Sequence, residues 1–208
     1  LTPPIRKLAL PVSAQTAAPP TDPDRGKIAV TAGTDFANTY MFRGFKQDDT
    51  RIMTWPYGDL GLGVYSGGGG LKRVSIHVGT WNSLHPGDAG RNGPSGKLWY
   101  ERNFYSALNL GFGGGVNLGT SYTAYLSPNK MFSTVKEIAF KATVDDHAVA
   151  GGIKPYALLA FELKTAPGLG QVDGGAKAGR YLEVGAGPGW ARKAMIISFP
   201  VKVGLSLG

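Results

Sequence analysis

The sequence predicts an all-β fold, an antiparallel up-and-down transmembrane β-barrel of about 8–12 strands. Three observations carry this. Apolar and polar residues alternate with period two over most of the chain from Lys27 onward. The links between alternating segments fall into short and long classes that follow strand parity. Aromatic residues gather at segment ends. Composition agrees, with Gly 32, Pro 14 and only 17% charged residues. Each interior glycine costs a helix about 1 kcal/mol, whereas strands and turns accommodate it.

Residues 1–26 hold Pro3, Pro4, Pro11, Pro19, Pro20 and Pro23 among Ala, Thr and Ser, the composition of a flexible tail or linker. Arg6-Lys7, then Leu8 to Val12 and Val12-Ser13-Ala14, is too short an apolar stretch for a signal peptide and reads as part of that tail. Residues 27–208 form the barrel domain. Ile28, Val30 and Ala32 oppose Thr31, Gly33 and Asp35; Leu60, Leu62 and Val64 oppose Tyr57, Asp59, Gly61 and Gly63. Val74, Ile76 and Val78 oppose Arg73, Ser75, His77 and Gly79. The pattern blurs around 98–110, though Glu101, Asn103 and Asn109 share a face. Val116, Leu118, Tyr122 and Ala124 oppose Asn117, Ser121 and Thr123; Ala157, Leu159 and Phe161 oppose Tyr156, Ala160 and Glu162; Leu182 and Val184 oppose Tyr181 and Glu183. Between them, Ser133 to Val144 fits two templates. Val135, Ile138, Ala139 and Ala142 have helical spacing, while Ile138, Phe140, Ala142 and Val144 alternate, and the neighbouring strands favour the strand. Alternation is cleanest from Met195 through Ile197, Phe199, Val201, Val203 and Leu205 to Leu207, which reads as one long strand.

Short links are expected near 66–71, 112–115, 145–152 and 188–192, longer ones near 83–97 and 164–179, and intermediate ones near 46–52 and 127–134. Tight turns at one end and free loops at the other suit a membrane barrel better than a sandwich. Tyr40, Phe42, Trp55, Trp81, Trp99, Tyr125 and Trp190 are expected to form interfacial belts. The polar face would line the lumen with Asp35, Arg43, Asp59, Arg73, His77, Glu101, Glu137, Lys141, Glu162, Glu183 and Lys202. Whether the glycines on that face leave a bore or let the strands coil tightly is open.

Other chemistry finds little support. Cys 0 excludes disulfides and thiolate sites. A net charge of +8 is spread singly, without the clustering and stacking aromatics of a nucleic-acid surface. His77, His85 and His147 show no metal-ligand spacing, so neither a metal nor a cofactor is expected. Ser75, His77 and Glu101 share polar faces, which allows a serine-hydrolase constellation without indicating one. The glycine groups at 67–70, 111–115 and 185–187 open no helix with a following Lys-Ser/Thr, so they are not phosphate loops. No apolar run reaches the roughly 20 residues of a membrane helix. A mean hydropathy of -0.09 fits a barrel, where only alternate residues meet lipid.

Asp35-Phe36, Tyr40, Phe42-Arg43-Gly44 and Trp99-Tyr100-Glu101 occur together with Tyr122, Tyr125-Leu126-Ser127-Pro128, Pro155-Tyr156, Tyr181 to Gly185 and Pro200 to Leu207. From about Lys27 onward the chain thereby resembles the proteobacterial conserved hypothetical Gcw-type family of outer-membrane barrels. The resemblance implies a barrel in the cell envelope and carries no catalytic residues. It departs at the C-terminal end, where family members continue with further strands, which leaves three readings open: a strand missed by the alternation test, an absent C-terminal part, or closure involving another chain. The expectation is a non-enzymatic bacterial outer-membrane barrel, a small-solute channel or envelope scaffold in contact with outer-membrane lipid. The alternatives are a structural subunit of a larger complex, joined to a protein partner or oligomer through residues 1–26 or an open C-terminal edge, and a lipid-modifying enzyme.

Overall fold

The computed structural model describes residues 27–146, 152–164, 178–192 and 195–207. The tail expected over 1–26, His147 and the side chain of Trp190 lie outside the described residues. Among the described residues thirteen strands appear in chain order. They are β1 (Ile28–Ala37), β2 (Tyr40–Phe42), β3 (Phe45–Asp48), β4 (Met53–Ser66), β5 (Leu71–Leu84), β6 (Trp99–Phe112), β7 (Val116–Leu126), β8 (Val135–Val144), β9 (Tyr156–Lys164), β10 (Arg180–Ala186), β11 (Gly189–Arg192), β12 (Met195–Ser198) and β13 (Val201–Ser206). Nine form one antiparallel up-and-down sheet in the order β1-β4-β5-β6-β7-β8-β9-β10-β13, while β2-β3 and β11-β12 are separate hairpins. Among the described residues the helices are a single turn, α1 (Asp88–Arg91), and a 3-10 turn at Gly113–Gly115. No helix among the described residues is long and apolar enough to cross a membrane.

The pleat explains most strands, because period-two residues give each strand one apolar and one polar face. The region 133–144 is strand β8, paired with β7 and β9 along its length. The blurred region is β6, one of the longest strands. Its pattern is obscured because Tyr100 and Glu101, adjacent residues, are both buried, beside a register shift at Ser83/Leu84. Two expectations need correction. The long strand over 195–207 is β12 and β13, divided at Phe199-Pro200, since proline has no N–H for a ladder. The short link expected at 188–192 contains β11, which pairs with β12.

The sheet is strongly curled. Laid flat, β4 and β10 would be about 29 Å apart at 4.8 Å per strand. Yet the β2-β3 hairpin touches both: Tyr40 packs edge-on against Trp55 of β4, and Arg43 at the tip lies 4.4 Å from the Tyr181 ring of β10. The sheet therefore wraps around this hairpin. Tight curling is helped by rings lying over cross-strand glycines. An added Cβ at Gly33 would fall 2.5 Å from the Tyr57 hydroxyl, at Gly61 2.7 Å from His77, and at Gly185 2.6 Å from Tyr156. In each case ring and glycine are register partners. Among the described residues β1 and β13 do not pair, so the sheet has two edges.

Candidate functional site

One end of the concave side is packed and the rest is open. At the packed end Tyr40, Phe42, Met53, Trp55, Trp81, Tyr100, Tyr125 and Val135 form one buried cluster. The connections above it interlock: Tyr100 donates to Gln47 Oε1, the Asp88 amide to Thr50 Oγ1, and the Asn129 amide to the Ala89 carbonyl. His85 stacks on Tyr100 at 4.3 Å between ring centres. Below this plug is a cavity of about 560 Å³, lined by residues from Lys27 beside β1 to Lys202 on β13.

Phe42-Arg43-Gly44-Phe45 makes the tip of the hairpin. Arg43 (φ 49) and Gly44 (φ 88) both have positive φ, as a two-residue hairpin turn of the primed type requires. Arg43 makes two parallel contacts with Glu137, of 2.7 and 2.9 Å, and both side chains are largely buried. Tyr125 adds a hydroxyl bond of 3.2 Å to the same carboxylate.

Further along, His77 Nδ1 lies 2.8 Å from Asp59 Oδ1 and Nε2 lies 3.1 Å from Ser75 Oγ. Tyr105 donates to the other Asp59 oxygen at 2.8 Å. A carboxylate only accepts, so Nδ1 carries the proton, and in the neutral ring Nε2 accepts from Ser75. The plug repeats the arrangement with other residues. His85 sits 2.8 Å from Asp48 through Nδ1 and 2.7 Å from Ser83 through Nε2. At the far wall Glu183 accepts from Tyr156 and Tyr181, each at 2.8 Å, and pairs with Lys202 at 3.2 Å. Lys141 lies over the Tyr156 ring at 4.9 Å.

Of the charged residues expected on one polar face, Arg43, Asp59, Arg73, His77, Glu137, Lys141, Glu183 and Lys202 line the cavity. Three do not. Glu101, 1% exposed, is held by Tyr40 and Asn103 behind the hairpin. Glu162 is buried and accepts the Gly179 amide at 2.8 Å. Asp35 is exposed. The expected aromatic belts also need correction. Tyr40, Phe42, Trp55, Trp81 and Tyr125 are buried on the concave side. Trp99 carries Arg102 over its ring at 3.8 Å. Position at a strand end told how far along the sheet these residues lie, but not which face they take. Parity held that information: Trp55 shares it with Asp59, Trp81 with His77 and Tyr125 with Thr123.

Sequence reasoning missed the plug hairpin, whose signal was a glycine-containing pair between Phe42 and Phe45. It also placed Glu101 near His77, where Asp59 is the acid. Among the described residues no group of three His, Cys, Asp or Glu is arranged to hold a metal ion. No family model, no curated protein and no solved structure matches this chain, so the resemblance to the Gcw-type family rests on its motifs alone.

Proposed function

We propose that the chain is a β-barrel of the bacterial outer membrane whose plugged, polar interior admits small solutes. One observation carries the reading: burial is inverted. Val30 is 76% exposed and Val201 66%, with Leu62, Val78, Phe104, Leu118, Phe140 and Val184 also exposed. Asp59, His77, Glu137 and Glu183 are buried on the opposite face. An apolar surface running across nine strands far exceeds the patch a soluble monomer tolerates, and lipid is the solvent that suits it. In lipid the backbone of β1 and β13 must also be satisfied, by each other or by a further strand.

The hairpin narrows the passage, and the Arg43–Glu137 pair fastens it across the cavity. The experiment is refolding in detergent followed by gel migration with and without heating, then planar-bilayer recording. Heat-sensitive migration and discrete conductance steps are expected. A folded sample that inserts but conducts nothing would overturn the solute passage, and a sample soluble without detergent would overturn the membrane assignment.

A further inference from the structure

The geometry points to a hydrolytic site in the cavity: Ser75, His77 and Asp59 form a nucleophile–base–acid chain suited to cleaving short-chain carboxylic esters. It goes beyond solute passage and departs from the expectation of a non-enzymatic barrel. The chain of contacts has the reach that nucleophilic catalysis requires, 3.1 Å from hydroxyl to ring and 2.8 Å from ring to carboxylate.

The same three residue types meet again at Ser83, His85 and Asp48, and the contrast is informative. Ser83 and His85 are 0% exposed, enclosed by the plug, and no substrate reaches them. Ser75 and His77 line the open cavity. The row across the sheet at Ser75 also leaves room for a substrate. Its register partner on β4 is Gly63, where an added Cβ would meet only the Lys27 backbone, no nearer than 3.8 Å. Its partner on β6 is Asn109, whose amide can donate to a carbonyl oxygen turning into an oxyanion. Arg73 precedes Ser75 by two residues on the same face, about 6–7 Å along the strand, and gives the same cavity a cation. Gly61 keeps its side of the sheet clear for the His77 ring.

The step balances within this set. As Ser75 Oγ bonds to the ester carbonyl carbon, its proton passes to His77 Nε2. The C–O bond then breaks, the leaving alkoxide takes that proton as an alcohol, and Ser75 carries the acyl group. Water attacks the acyl carbon, giving a proton to His77, which returns it to Ser75 as the acid departs. Asp59 is a positioning residue, fixing the ring through Nδ1, and Tyr105 holds Asp59 in turn.

The test uses the refolded full chain in detergent, with a fluorophosphonate as covalent probe and 4-nitrophenyl acetate as substrate. Neither readout requires conductance, so failure of solute passage and failure of this site are separable. The probe should add once, on the β5 peptide containing Ser75, and Ser75→Ala should abolish the adduct. Hydrolysis should fall by roughly 100-fold or more in Ser75→Ala and His77→Gln. Asp59→Asn should lower kcat with KM unchanged, and Ser121→Ala, a cavity residue outside the chain, should retain the rate. Heat-sensitive migration of each variant verifies folding. A folded protein that is unlabelled at Ser75, or turnover that survives Ser75→Ala, would overturn the site.

Discussion

Arg43 holds a backbone conformation that costs an L residue about 1–2 kcal/mol, and its side chain explains why it stays there. The guanidinium meets the Glu137 carboxylate through both terminal nitrogens and lies against the rings of Phe42 and Tyr181. Removing one member of a largely buried pair strands the other charge, which typically costs about 3–5 kcal/mol. Arg43→Ala should therefore lower the urea midpoint markedly. Arg43→Ala with Glu137→Gln should recover part of that loss, and a double variant no better than the single would show the pair is not the cause. In the plug, His85 gives a pH signature. Burial holds its imidazole below the ordinary 6.5 despite Asp48 pulling it upward. For Asp48, burial raises the value, but the Thr50 and His85 hydrogen bonds outweigh it and leave the carboxyl below 3.8. Both folded values are depressed, so the unfolded chain binds protons first and stability is lost as pH falls. The contribution of these two groups to the denaturation midpoint should hold above pH 6.5 and decline below it, first through His85 and then through Asp48. His85→Gln should flatten the upper part of that decline.

At the scale of elements, the pairing of rings with glycines sets how tightly neighbouring strands coil. At Gly185 the three nearest atoms to an added Cβ all belong to Tyr156, at 2.6 to 2.7 Å. Gly185→Ala should destabilise by about 1–3 kcal/mol through overpacking. In a background already carrying Tyr156→Ala the same change should cost much less, a non-additivity that a double-mutant cycle reads directly. The strands themselves were legible because their faces repeat every two residues, and even the helix-compatible segment at 133–144 resolved as β8 once its neighbours were considered. The plug was not legible for the opposite reason. Tyr40 to Asp48 is too short and too polar to show a period, and its structure comes from contacts with β6, β8 and β10 that no local window contains. Pro200 was visible, yet seven apolar residues alternating around it masked the break. For the candidate site, sequence supplied Ser75 and His77 as same-face neighbours. The acid partner depended on the register of β4 against β5, which places Asp59 opposite Gly79, one cross-strand diagonal from His77.

Across the whole molecule, inverted burial is the property most open to a quantitative check. Val78 and His77 are adjacent, one on each face of β5. Val78→Arg should cost about 2–4 kcal/mol of folding stability in vesicles if it lies near the middle of the apolar band, measured by urea titration of the inserted protein. A negligible cost would count against lipid contact on that face. The nine-strand order has a further consequence for sidedness. Each antiparallel step reverses direction, so a run of nine strands starts and finishes at opposite ends of the sheet. Lys27 lies at the end with the 67–70 and 113–115 turns, and Leu207 at the end with the plug. If the strands cross a membrane as proposed, epitope tags placed at these two positions should face different compartments. In intact vesicles, protease added from one side should remove one tag and spare the other.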